Sequence, residues 1–320
     1  MRHGYLLAVL FAIALGMCLA PGTAHAKVYA ADQYPGTIYA YEDTAGVEVN
    51  PDTLFPYTVG MALDSEGRLL LAMQNGPYDV VRFDPATQET DLLDLAVSYY
   101  EAEEVAADID NDVYVAMNLE PQRGGTQGER YVSSWLGIIR DGAGAPDTAY
   151  TFSTGSFVRD VKVWPFGERA GNILVLLDDD GAQLIELKED PEGVFDYVQQ
   201  IAGGGMMPYS ATSIAMSPAG TIYVLDEADG LFYVDEEYGY VWGMGGLYGP
   251  GLRDMEVGPD GTIYVADTGL DQVRRFDDWG YEIYPPFSSG LESLAAIAVT
   301  GTAPTPEGEN VFVEPQDNLE

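Results

Sequence analysis

Four carboxylates and one ammonium stand at matching places in three short apolar segments: Glu104 in EEVAA, Asp160 and Lys162 in RDVKV, and Asp254 and Glu256 in RDMEV. Brought to one axis, the acids would repel one another until Lys162, protons or a metal ion neutralised them. Oxygen-only ligands select calcium or magnesium over zinc or copper, so Glu104, Asp160, Asp254 and Glu256 are candidate ligands for calcium. The competing arrangement needs no ion. In it Asp160 pairs with Lys162, while Asp254 and Glu256 face water in a wide channel. Other residue types offer less chemistry still. The single cysteine, Cys18, and both histidines, His3 and His25, fall within the first 26 residues. That stretch has a basic start at Arg2, an apolar run from Leu6 to Ala20 and an Ala24-His25-Ala26 end, which is the pattern of a cleaved export signal. The mature chain would then have neither thiol nor imidazole. A general base in it would have to be a carboxylate with a raised pKa, or Lys162 with a lowered one.

The elements that position these residues repeat. Arg253 to Phe276 reads as three strands: Met255-Glu256-Val257 before a Pro259-Asp260-Gly261 turn, a β-branched strand from Thr262 to Ala266, and a third from Gln272 to Phe276. The segment Gly261-Thr262-Ile263-Tyr264-Val265 recurs at Gly220 and at Gly36, with weaker copies beginning at Gly67, Asn111 and Gly171. The starting points are spaced by 31, 44, 60, 49 and 41 residues, around the roughly 40 to 50 of one propeller blade. The pattern apolar-Ala-Val-Asp-x-x-Gly-x-Ile-Tyr-Val-Ala-Asp-x-Gly resembles that of NHL-repeat β-propellers, most closely at 252–277 and 213–234. The resemblance implies an all-β chain of four-stranded antiparallel blades.

Residues 36–52 supply a second strand with no first strand before it, and Leu294 to Val299 a first strand with no follower. Five units lie between them, at 58–97, 102–152, 158–201, 211–243 and 252–284. A six-bladed β-propeller closed by its two ends follows, because pairing the termini leaves no sheet edge free. It occupies 27–301, after a signal peptide at 1–26 and before an extended tail at 302–320. Alternation along the inner strands sends Met61, Val105, Val161, Ile214, Met255 and Ile297 between blades. It sends Gly60, Glu104, Asp160 with Lys162, Ser213, Asp254 with Glu256, and Ala296 toward the channel.

The fold is also similar to the gluconolactonase and regucalcin group, which implies a divalent metal held one position earlier on the inner strands. Those positions here are Val59, Glu103, Arg159, Thr212, Arg253 and Ala295, and of these only Glu103 is a metal-binding type. Asp108 to Asp112 and Asp178 to Gly181 look like calcium loops but have no spaced downstream glutamate, so they read as turns. Asp226 and Asp267, with Glu42 in the same register, are expected to order the turn after the second strand.

Partner chemistry follows from charge and loops. The chain has 52 acidic and 14 basic residues, a net charge of −38, which repels nucleic acid and anionic lipid. No segment of the mature chain is apolar enough for membrane insertion. Glycine-rich loops carrying Met207, Tyr209 and Tyr248 join Glu103, Glu104, Asp160, Lys162 and Asp254 at one mouth of the channel. Methionine and tyrosine on flexible loops suit recognition of an extracellular protein, peptide or glycan. The expected function is therefore that of a secreted or periplasmic, non-catalytic binding scaffold. A divalent-metal lactonase or hydrolase and a structural cell-surface component are the alternatives.

Overall fold

The computed structural model describes residues 26–300 apart from 43–44, 52, 75–79, 94–99, 120–133, 141–146, 154, 179–180, 246, 248 and 289. Strands β1 (Val28–Asp32), β2 (Ile38–Tyr41) and β3 (Val47–Glu48) open the chain. Four antiparallel sheets follow. They run from β4 (Thr58–Leu63) to β7 (Thr90–Leu93), β8 (Tyr100–Ala107) to β11 (Asp147–Thr151), β12 (Phe157–Val163) to β15 (Phe195–Gly203), and β16 (Ala211–Met216) to β19 (Tyr240–Gly243). The last consecutive sheet has three strands, β20 (Leu252–Val257), β21 (Ile263–Asp267) and β22 (Gln272–Phe276). Its rim is finished by single bridges from Val273 to Phe287 and from Phe276 to Glu282. Finally β23 (Leu294–Val299) pairs with β1, from Val28 opposite Val299 to Asp32 opposite Leu294, and supplies the inner strand of the first blade. The result is a six-bladed β-propeller closed by its ends.

The hairpins follow from turn chemistry. Asp64 Oδ1 accepts the N–H groups of Glu66 and Arg68 at 3.0 and 2.9 Å, and Asp108 Oδ1 accepts those of Asp110 and Asp112 at 3.0 and 2.9 Å. Side-chain bonds to backbone two and four residues on hold the turn in one conformation. The repeated glycine has its reason here: Gly67, Gly220 and Gly261 sit at φ of 80°, 87° and 83°. Asn111 takes the same place at 63°, as the residue besides glycine that best tolerates that region. The acidic run from Asp108 to Asp112 is thus a turn.

Packing is organised by interface. Six apolar clusters each join two neighbouring blades. Met61, Val105, Val161, Ile214, Met255 and Ile297 are fully buried among them, as alternation requires. No blade buries both faces alone, so the stability of each depends on its neighbours.

Two expectations need correction. The copy of the repeat at Gly36 is the third strand of its blade, not the second. Val28–Asp32 is the second strand, since it pairs with both β23 and β2. Gly36 is required at its own turn, where φ is 99° and a Cβ would lie 2.3 Å from the Phe55 carbonyl carbon. The resemblance in letters therefore marks a hairpin entry, not a fixed strand number. The register mate of Asp226 and Asp267 is in consequence Asp32, which accepts the N–H groups of Glu292 and Ser293 at 3.1 Å each. Glu42 instead pairs with Lys27 at 3.1 Å. Asp226 does order its turn, through the N–H groups of Ala228 and Asp229, both at 2.8 Å.

Candidate functional site

Every inner strand carries a β-bulge at the same place. The register slips across Val59, Glu103, Arg159, Thr212, Arg253 and Ala295. A bulge sets two residues against one and re-aims a side chain. The channel residue and the residue before it therefore both serve the axis, one below and one at the rim.

Below the rim the axis is closed. Glu104, Asp160, Lys162, Asp254 and Glu256 are all buried, Asp160 to 1 % exposure and Glu256 to 8 %. Each acid next to a bulge accepts the N–H of the residue after it: Val105 at 3.0 Å, Val161 at 2.6 Å and Met255 at 2.7 Å. The second oxygen of two of them crosses to the next blade. Asp160 Oδ2 accepts the Ile214 N–H at 2.7 Å, and Asp254 Oδ2 the Ile297 N–H at 2.8 Å. Between them the Ser213 hydroxyl donates to Asp160 at 2.7 Å and accepts the Met255 N–H at 3.2 Å. The axial carboxylates are staples that bind four consecutive inner strands by their backbone.

The wide, wet channel is thereby overturned. Ala106, Ala215, Ala296 and Ala298 are taken up in the interblade clusters, and Lys162 lies 2.8 Å from Glu256 and 3.7 Å from Asp160. The preferred partner of Lys162 is Glu256, on a blade across the axis. Alternation predicted which residues face the axis but not how narrow it is.

Burial sets the electrostatics. It pushes Asp160 up to about 6 and Glu256 up to about 7, with Lys162 pulling both back. Burial and the charge of Asp254 hold Glu104 well above the usual range. Burial works against the Lys162 ammonium, but the carboxylates of Asp160, Glu256, Glu104 and Asp254 outweigh it and raise its pKa well above normal. Room for Glu104 comes from Gly60 on the preceding blade, where a Cβ would lie 2.6 Å from Glu104 Oε1 and 2.7 Å from the Glu103 carbonyl oxygen. Gly60→Ala is expected to cost about 1–3 kcal/mol by overpacking. Chemical denaturation reads this directly, and an unchanged midpoint would show the axis to be slack.

At the rim Arg159 and Arg253 are exposed and Glu103 and Thr212 half-buried, whereas Val59 belongs to an interblade cluster. Val59, Glu103, Arg159, Thr212 and Arg253 enclose a pocket of about 220 Å³ with Glu227 and Thr268 on its wall and Glu104 and Asp254 at its floor. Arg159 is tied to Asp178 at 2.6 Å. Burial raises the pKa of Glu103, while a hydrogen bond from Asn118 and the charges of Arg253 and Arg159 draw it down. Of the loop residues, Tyr209 is 84 % exposed, whereas Met207 is buried in the cluster between its blade and the next. Met207 therefore fills the core and presents nothing to a ligand. Tyr248 lies outside the described residues. The two rim arginines were visible in the sequence as polar residues at consecutive positions, a break in alternation that marks a bulge.

A divalent ion does not fit these donors. The oxygens of Asp160 and Asp254 are committed to backbone N–H groups and one oxygen of Glu256 to Lys162, and at the rim two guanidiniums stand among the carboxylates of Glu103 and Glu227. Among the described residues no group of three or more His, Cys, Asp or Glu is arranged to hold a metal ion.

Comparison with known proteins supports the fold. No protein-family model matches the sequence, and no curated protein matches it. Solved structures do. A chain of a nidogen/laminin complex superposes with a TM-score of 0.64 at 12 % identity, over 87 % of this chain and 99 % of the other. A calcium-binding regucalcin from Agrobacterium tumefaciens gives 0.54 at 15 % identity, over 75 % and 77 %. A catalytically inactive virginiamycin B lyase from Staphylococcus aureus, with quinupristin, gives 0.52 at 11 % identity, over 87 % and 80 %. No helix among the described residues is long and apolar enough to cross a membrane.

Proposed function

We propose that the chain is an exported, non-catalytic NHL-like binding scaffold whose ligand lands on the channel-mouth face. The observation that carries this reading is the division of labour at the bulges: charged side chains one residue apart are either consumed as interblade staples or turned out to line the rim pocket. The exposed Tyr209 on the following loop widens that face. A neighbour in fold is a chain from a complex of two proteins, nidogen and laminin, and an extracellular protein, peptide or glycan is the corresponding class of partner here. Among the described residues, lactonase chemistry of the metal-dependent kind has no donor set to rest on.

The test is capture of extracellular material on the immobilised chain, compared with Glu227→Trp, which places bulk over the pocket from an exposed wall position. Loss of the captured partner at an unchanged thermal midpoint is the expected result. Metal-dependent turnover of simple lactones would contradict the reading.

One observation favours the structural-component alternative. Tyr233, Tyr240 and Trp242 lie on the face of their blade that turns toward the three-stranded one, beyond the point where that neighbour has a strand to cover them. Trp242 is 50 % exposed and Trp279, in a loop of the neighbouring blade, 74 %, and a Cβ on Gly280 would lie 3.0 Å from Met244, which places the two loops side by side. Aromatic surface of this kind is what assembling proteins bury. If copies associate through it, the wild-type chain sediments as an oligomer and a Trp242→Ser, Trp279→Ser chain as a monomer; a monomeric wild type removes this reading.

A further inference from the structure

The rim pocket holds cations in a chain that has few. Many basic side chains are answered by acids, Arg169 by Glu186 and Glu236, Arg274 by Glu282 and Asp267, Arg140 by Asp112 and Glu189, while Arg275 instead donates to the Pro285 carbonyl and lies over the Phe287 ring. Among the described residues no ion pair includes Arg253. Glu103 lines the same pocket and is drawn down by the charges of Arg253 and Arg159, yet among the described residues no carboxylate closes on the exposed Arg253 guanidinium, whose fork stays open to a ligand. Arg159 lines the same pocket, steered there by the equivalent bulge two blades earlier. Its tie to Asp178 and its place over the Phe157 ring, 5.5 Å from the centroid, fix its stem.

We infer that the rim pocket receives a carboxylate group of the ligand, held by Arg253 and Arg159. Guanidinium is the side chain whose planar fork matches that group. Volume limits what enters: about 220 Å³ is below the roughly 300–1,000 Å³ of pockets that enclose a drug-sized ligand, so the pocket takes the end of a molecule and leaves the rest on the loop face. The floor decides between anions. Glu104 and Asp254 lie beneath and Glu103 and Glu227 beside, and their like charge disfavours a doubly charged phosphate more than a single carboxylate. The net charge of −38 does not forbid the contact, since salt screens distant charges beyond about 10 Å at 0.1 M while the two arginines act at contact. A carboxylate of this kind comes from a small organic acid or from the C-terminus of a peptide.

This inference rests on the mouth being the binding face, and it fails separately from that reading. A partner captured equally by wild type and by Arg253→Gln, but lost in Glu227→Trp, keeps the face and removes the carboxylate. The direct experiment follows the Arg253 Nε–Hε resonance of the purified, isotopically labelled chain during titration with N-acetylalanine, its methylamide, acetate and inorganic phosphate. N-acetylalanine should shift it saturably, the methylamide should bind at least about tenfold more weakly, and Arg159→Gln should weaken the acid about tenfold without moving the thermal midpoint; tenfold is the scale of one good charged contact. Tighter binding of N-acetylalanine than of acetate points to a peptide terminus, and equal binding to a small acid. Absence of a saturable shift, equal response to acid and methylamide, or tighter binding of phosphate would overturn the proposal.

Discussion

Asp254→Ala is expected to destabilise the propeller by about 2–4 kcal/mol, the scale set by leaving buried donors without acceptors. The Ile297 N–H loses its acceptor at 2.8 Å, and the Met255 N–H loses the nearer of two, at 2.7 Å, keeping only the Ser213 hydroxyl at 3.2 Å; both belong to inner strands beside the closing blade. Removing a negative charge near Glu104 and Glu256 returns part of the loss, because Asp254 raises the pKa of both. A domain of this size moves by roughly 2–4 °C per kcal/mol, so the thermal midpoint should fall by about 4–16 °C. Asp254→Asn keeps one acceptor oxygen and should fall by less. A midpoint unchanged in the alanine variant would mean that the staple contributes nothing.

Stability should rise as the pH is lowered from 8 to about 5, against the usual behaviour of a protein held by ionised acids. Burial raises Asp160 to about 6 and Glu256 to about 7 in the fold, while in the unfolded chain both ionise near pH ~4. Between those values the folded state holds more protons than the unfolded one, so their contribution is complete below about pH 4 and is lost as the pH climbs to about 7. Lys162, raised in the fold, contributes throughout that range and loses its contribution only above its ordinary value of 10.5. Opposing groups act at lower pH: Glu186 and Glu282 are depressed, by their hydrogen bonds to Arg169 and Arg274 in particular, and their contribution fades as acid protonates them. The optimum should therefore fall near pH 5, with a gain over pH 8 on the order of 3 kcal/mol, since each tenfold change in proton affinity between the folded and unfolded chain is worth about 1.4 kcal/mol. Relief of general repulsion in so acidic a chain acts in the same direction, but it is screened by salt. The separating comparison is Glu256→Gln at about 0.5 M salt, where the screening length is only a few ångströms. Its stability should vary less with pH than that of wild type, and an identical profile would place the effect outside the axis.

Much of the architecture was legible because the blades repeat one hairpin, with glycine or asparagine at a left-handed turn and apolar, mostly β-branched residues after it. Closure was legible too, because Leu294 to Val299 is a strand without a follower. The second strand of the closing blade was not, since Val28–Asp32 directly follows the stretch whose sequence reads as an export signal, and the nearby Gly36 motif imitates a strand that it does not occupy. At the site, alternation found Glu104, Asp160, Lys162, Asp254 and Glu256 on the axial face. It could not show that they are buried, because spacing along one strand is silent on how closely six strands approach. Nor could it separate Arg253 from Asp254, whose opposite fates depend on a bulge. The burial of Met207 was not legible for a simpler reason: a methionine on a glycine-rich loop serves a core as readily as a surface.

The claim on which the rest depends is that the axial carboxylates hold strands together and hold no metal. Elemental analysis of the purified chain, followed by thermal unfolding with and without a chelator in added calcium, tests it most directly. No retained divalent ion and identical midpoints are the predicted result. One tightly held calcium per chain, with a midpoint that falls on chelation, would contradict it.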